Sequence, residues 1–224
     1  MIRKNLQKVQ DEIASVCQRI GRNPQEITLV AITKNASAQA IQEAINCGIT
    51  DIGENRIQEA QKKYKDISAV KFHLVGHLQT NKVKEAVKIF NLIHSVDSLK
   101  VAVEIDKEAA KINKVQDILI QVNTSQEASK FGLNPDGIVE IIKKISQLPN
   151  IHISGLMTIA PLVDNPGKTR PFFRQLRELR DRLNKSQVTS HKLQDLSMGM
   201  TNDYQVAIEE GANILRIGRA IFEG

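Results

Sequence analysis

Short apolar runs alternate with longer amphipathic stretches from residue 27 onward. The runs "ITLVAIT" (27–33), "ITDIG" (49–53), "KFHLVG" (71–76) and "NLIHSV" (91–96) are rich in β-branched or aliphatic residues and bounded by turn formers. The same holds for "DILIQVN" (117–123), "IHISGLM" (151–157), "LQDLSMG" (193–199) and "NILRIG" (213–218), so the pattern predicts about eight strands. The intervening stretches have helical periodicity. Ala40, Ile41, Ala44 and Ile45 recur in "SAQAIQEAINCG", with Gly48 as the stop, and Ile138, Ile141, Ile142 and Ile145 share one side of "NPDGIVEIIKKISQLPN". In "RPFFRQLRELRDRLNK" the expected stripe is Phe172, Leu176, Leu179 and Leu183. An amphipathic helix, "MIRKNLQKVQDEIASVCQRIG", precedes all of them.

Strict alternation of strand and helix implies parallel strands joined by right-handed crossovers, and about eight such units close a barrel. The expected fold is therefore α/β, a single TIM (β/α)8-type barrel with an additional N-terminal helix, occupying residues 1–224 as one domain. An open doubly wound sheet is the alternative. "PLVDNPGKTR" (161–170), with two prolines and a glycine, is the expected mobile loop.

Composition narrows the class. The chain is 41% hydrophobic and lacks tryptophan, so its core must come mainly from Ile, Leu, Val and Ala. No apolar segment approaches the roughly 20 residues of a membrane span, and Cys17 and Cys47 lack the spacing of a zinc site or disulfide framework. A soluble cytoplasmic protein is expected. The formal charge of +6 is spread among acids along helices, and six Phe and two Tyr make a poor base-stacking surface, which argues against nucleic acid. Lys62, Lys63 and Lys65 look like a solvated helix face.

In a barrel the C-terminal strand ends form the active mouth. Those ends carry Lys34, "GEN" (53–55), "VGHLQTNK" (75–82), "HSVDS" (94–98), "QVNTS" (121–125), "GLMTIAP" (155–161), "LSMGMTND" (196–203) and "RIGRAIF" (216–222). The last two suit a phosphate. Ser197 offers a hydroxyl, Gly199 permits close approach, Thr201 or Asn202 could cap the following helix, and Gly218 with Arg219 opens another helix whose dipole favours an anion. Strand alternation puts Ile214, Arg216 and Gly218 on one face, where the guanidinium needs either a structural carboxylate or a ligand. Lys34 shares a face with Val30 and Ile32. Partial desolvation and nearby positive charge would there favour the neutral, nucleophilic amine. Amine and phosphate cup together suggest a phosphorylated aldehyde such as pyridoxal 5′-phosphate (PLP).

These segments, above all "LSMGM" followed by "RIGRAIF", resemble the PLP homeostasis protein family, small PLP-binding proteins related in fold to the amino-terminal barrel of alanine racemase. The resemblance implies that Lys34 forms the internal aldimine and that the phosphate rests against Ser197, Met198 or Gly199 and the Gly218–Arg219 turn. It also implies that Arg216 approaches the pyridine nitrogen and that Asn55 lies beside the cofactor, with lesser parts for His77, Asn123 and Met157. The sequence departs from the family after Lys34, at "NAS", and at its "IFEG" end.

An arginine at the pyridine nitrogen disfavours its protonation and weakens the ring as an electron sink. Related racemases also use a tyrosine from a second domain as opposing base, whereas Tyr64 and Tyr204 fall in predicted helices. The expectation is a monomeric, non-enzymatic PLP carrier acting in vitamin B6 homeostasis, with amino acids and apo PLP-dependent enzymes as further partners. A PLP-dependent amino-acid racemase is the alternative.

Overall fold

The computed structural model describes residues 1–67, 69–127 and 130–223. Among them, β1 Thr28–Ile32, β2 Asp51–Glu54, β3 Lys71–Leu74, β4 Leu92–Val96, β5 Gln116–Gln121, β6 Ile151–Met157, β7 Asp195–Ser197 and β8 Ile214–Ile217 form a closed barrel. Neighbours pair in chain order, every pair is parallel, and β1 closes the ring on β8 through Val30 opposite Arg216. Each apolar run read from the sequence supplies one strand, and the open-sheet alternative is excluded by the β1–β8 closure.

The outer layer consists of α1 Ile2–Arg19, α2 Ala38–Asn46, α3 Ile57–Tyr64, α4 Val83–Ile89, α5 Leu99–Ala110, α6 Ile138–Ile145, α7 Arg170–Lys185, α8 Tyr204–Glu209 and α9 Arg219–Phe222. Ser37 and Ser98 cap α2 and α5 by accepting the N–H of Ala40 and Val101. The C-terminal turn of α2 passes into Gly48 at φ +97°, as its predicted stop requires.

Two apolar cores result. Val30, Leu92, Leu119, Met157 and Ile214 plug the barrel interior, with Ile32 at the plug's edge. A larger layer lies between the strands' outward residues and the helices. α7 contributes Phe173, Leu176, Leu179 and Leu183 to it, with Phe172 only partly covered. The expected stripe was therefore displaced by one residue at its start. Spacings of three and four both fit a helix face, and packing against the sheet selects between adjacent phenylalanines.

α1 covers α2, α8 and α9 and buries Ile2, Leu6, Val9, Ile13, Val16 and Cys17. The Tyr204 hydroxyl on α8 donates to the Glu12 carboxylate of α1. The stretch expected as a mobile loop is partly regular: Asn165 accepts the Gly167 N–H, a 3-10 turn spans Pro166–Thr169, and α7 begins at Arg170.

Candidate functional site

At the C-terminal mouth of the barrel lies a cavity of about 900 Å3. Its wall includes Ile32, Lys34 and Asn35 after β1, Asn55 after β2, Met200 to Asp203 after β7, and Arg216, Gly218 and Arg219 at the end of β8. The size suits a cofactor-sized ligand. Five of the eight expected site residues, Lys34, Asn55, Arg216, Gly218 and Arg219, meet there. The buried residues Ser197, Met198 and Gly199 do not line it.

Lys34 follows β1 on the inward face of Val30 and Ile32. It is exposed, so the desolvation expected from the sequence is absent in the uncovered cavity. Its base is nevertheless held firmly. The Thr33 N–H continues the ladder to the Gly53 carbonyl at 3.1 Å, and Asn35 turns the chain at φ +63°, a conformation asparagine tolerates. The Thr33 hydroxyl donates to Glu54 Oε1 at 2.5 Å, and Lys63 Nζ reaches the same oxygen at 2.5 Å and the Thr33 carbonyl at 2.7 Å. Glu54 is fully buried. Lys63 is thus a clamp joining α3 to the ends of β1 and β2, which corrects its expected place on a solvated face: a buried carboxylate needs a nearby cation, and the second turn of α3 brings Lys63 to it.

The turn after β7 depends on Gly199, whose φ is +91° and where a Cβ would lie 2.6 Å from the Cβ of Ala207 and 3.0 Å from the Cα of Tyr204. Neither Thr201 nor Asn202 caps α8. The residue before the helix is Asp203, whose side chain accepts the Met200 N–H at 2.6 Å and so closes the turn backward. Burial pushes the Asp203 carboxyl up, opposed by that N–H and by the charge of Arg216. Gly218 precedes the short helix α9, and a Cβ there would press within 3.2 Å of the Ile32 carbonyl. The start of α9 is thereby drawn against the end of β1.

Arg216 forms part of the cavity floor and is 4% exposed. Its acceptors are Ser197 Oγ at 2.6 Å and the Thr158 carbonyl at 2.8 Å, rather than the carboxylate that a structural ion pair would supply. Burial lowers its pKa to about 10 while Asp203 opposes the shift, so the group is a cation at neutral pH.

Behind Arg216 runs a chain of buried polar groups that sequence reasoning did not assemble. Ser197 Oγ lies 2.8 Å from His94 Nδ1, His94 Nε2 lies 2.9 Å from His73 Nδ1, and His73 Nε2 lies 2.9 Å from Asp51 Oδ1. The available signal was parity: Asp51, His73, His94, Ser197 and Arg216 each occupy an inward position of a strand. The three residues given lesser parts lie elsewhere. Met157 is in the barrel plug, Asn123 donates to the Glu127 and Lys130 carbonyls, and His77 stacks on Phe131 at 3.8 Å and pairs with Asp97 at 3.1 Å.

The donor set fits a phosphorylated aldehyde on a heteroaromatic ring: one exposed amine on the wall, one fixed guanidinium on the floor, and a helix start beside an arginine for an anion. Fold and site together define a protein of the alanine racemase N-terminal domain class, and the family model of that description matches residues 4–224. The chain is 45% identical to the pyridoxal phosphate homeostasis protein of Aquifex aeolicus over 98% of its own length and 96% of the relative's. It belongs to the pyridoxal phosphate homeostasis protein family. The solved structure of PipY from Synechococcus elongatus with PLP bound is 33% identical, with a TM-score of 0.86 over 99% of this chain and 100% of that one. Alanine racemase of Clostridium difficile, 16% identical with a TM-score of 0.75 over 98% of this chain and 56% of the racemase, shares the fold alone.

Proposed function

We propose that this chain, as one barrel, holds PLP as a reversible Schiff base on Lys34 and keeps the free aldehyde low without turning over a substrate. The observation that carries the reading is the convergence of Lys34, Arg216 and the Gly218–Arg219 turn on one cavity of cofactor size. Asn55 flanks the ring, and Arg216 faces its nitrogen. The Gly218–Arg219 turn takes the phosphate together with the segment after β7, whose path Ser197, Met198 and Gly199 set from beneath. Bound PLP supplies a reactive carbonyl; the chain supplies an amine, an anion seat and a cationic floor. Membership of a family whose relatives are named for PLP homeostasis, and a PLP-bound relative of the same fold, support the same reading.

The positions of the two tyrosines support the absence of turnover. Neither lines the cavity: Tyr204 is bonded to Glu12 on the helical layer, and Tyr64 packs edge-on against Phe72. We further propose that the protein works as a monomer in the cytoplasm, and that amino acids and apo PLP-dependent enzymes receive the cofactor by amine exchange at Lys34. Among the described residues, no helix is long and apolar enough to cross a membrane.

Borohydride reduction of the PLP-loaded protein is expected to fix one phosphopyridoxyl group on Lys34, located by peptide mass spectrometry, and Lys34→Ala should lose it. Label retained by the variant at another residue would refute the anchor. Amino acids in deuterated water should exchange their α-hydrogen no faster than with free PLP; Lys34-dependent exchange at a catalytic rate would instead establish the racemase alternative.

A further inference from the structure

Two strand ends, "GEN" and "VGHLQTNK", bring more polar groups to the mouth than PLP binding uses. Between them lies a second hollow of about 560 Å3, which shares only Asn55 with the wall of the cofactor cavity. Its lining includes Arg56, Glu59 and Lys62 from the start of α3, and His77 and Lys82 from the segment after β3. The volume falls within the range of small-molecule sites.

Its cations are arranged unlike those on the other helices. Glu59 stands three residues from both Arg56 and Lys62. At that spacing Lys107 pairs with Glu104, Lys111 with Glu108, Lys130 with Glu127 and Lys143 with Glu140. Among the described residues, however, Glu59 pairs with neither neighbour, and Arg56, Lys62 and Lys82 meet no carboxylate at ion-pair distance. Arg56 also occupies the N-cap of α3, the end at which a helix dipole opposes a cation. Such a grouping is self-repelling while the hollow is empty and becomes favourable once an anion enters.

The charge surplus selects the anion. Three cations against one carboxylate match the roughly −1.5 to −2 charge of a phosphate monoester at neutral pH better than the single charge of a carboxylate ligand. Arg56 offers a planar fork and the two lysines offer point charges, both of which suit phosphate oxygens. The hollow is also much larger than a phosphate ion. Beside the cations the His77 ring forms a fixed, flat wall: it stacks on Phe131 with centroids 3.8 Å apart and 13° between planes, and its Nδ1 lies 3.1 Å from Asp97 Oδ2. We propose that the hollow between α3 and the segment after β3 is a second binding site, which takes a phosphate monoester with its phosphate on Arg56, Lys62 and Lys82 and its organic part against His77. The site is independent of PLP binding, which belongs to the cavity on the other side of Asn55.

Amide 1H–15N spectra of the PLP-loaded protein test the site during titration with phenyl phosphate, inorganic phosphate and acetate at neutral pH and constant ionic strength. Phenyl phosphate is expected to shift Gln58 and Lys82 saturably and at least as tightly as inorganic phosphate, whereas acetate leaves them in place. Arg56→Gln and Lys82→Gln should each weaken phenyl phosphate roughly tenfold, and Glu59→Gln, which removes the opposing charge, should tighten it. Unchanged affinity in Arg56→Gln and Glu59→Gln overturns the proposal. So does an equal response to acetate, or binding of inorganic phosphate with phenyl phosphate excluded. Lys82 is half-buried; should Lys82→Gln fail to fold, the other two variants, of opposite sign, carry the test. Gly218 and Arg219 report the cofactor cavity in the same spectra. Should the protein fail to take PLP, shifts at those two residues follow the empty cofactor cavity, while Gln58 and Lys82 still decide the second site.

Discussion

His94 shows how one buried side chain ties the site to the stability of the fold. Its pKa lies well below the ordinary histidine value, first through burial and then through the charges of His73 and Arg216. Below about pH 6.5 an unfolded histidine takes up a proton, which folded His94 refuses. The unfolded state then binds more protons, so this residue makes stability fall as pH drops from about 6.5 toward the folded-state value, by at most about 1.4 kcal/mol per pH unit. Urea midpoints at pH 7.5, 6.5 and 5.5 are expected to decline, and His94→Asn to flatten the decline; an unchanged slope would remove His94 as its source. Lys34 and Arg216 were legible as inward-facing residues from strand parity alone. The partners of Arg216 were not, because Ser197 and Thr158 lie 19 and 58 residues away in the chain, and His94, which bonds Ser197 from behind, stands on β4 across the interior.

Between elements, the Lys63 clamp ties α3 to the end of β2 and to Thr33, the residue before Lys34. Lys63→Met would leave the Glu54 carboxylate buried without its cation and is expected to cost about 3 kcal/mol in chemical denaturation. Adding Glu54→Gln should recover part of the loss, since removing both charges removes the unpaired one. Equal destabilisation by the single and double variants would deny the pairing. Strand and helix positions followed from apolar spacing because periodicity is a local property. The role of Lys63 did not: a lysine on an amphipathic helix has the same local pattern whether it meets solvent or a carboxylate on the strand before it. The turn after β7 gives the same lesson, since Thr201 and Asn202 have the chemistry of caps while the fold puts Asp203 at that place.

Across the whole molecule, α1 completes the outer layer without belonging to any strand–helix unit. Its six buried apolar residues are each worth roughly 1.5–3 kcal/mol for the larger side chains, and together they rival the 5–15 kcal/mol stability of a typical domain. A chain beginning at residue 23 is therefore expected to lose its cooperative thermal transition by circular dichroism, and a native-like transition would show that α1 is dispensable. The eight strands, their order, their inward faces and the cationic, glycine-bearing strand ends could all be read along the chain, because alternation of apolar and polar residues encodes which side of each element is buried. Which phenylalanine of α7 enters the core, which lysine of α3 pairs, and how Asp51, His73, His94 and Ser197 align behind Arg216 depended on distances through space. Closing eight parallel strands into a ring sets those distances, and no local pattern carries them.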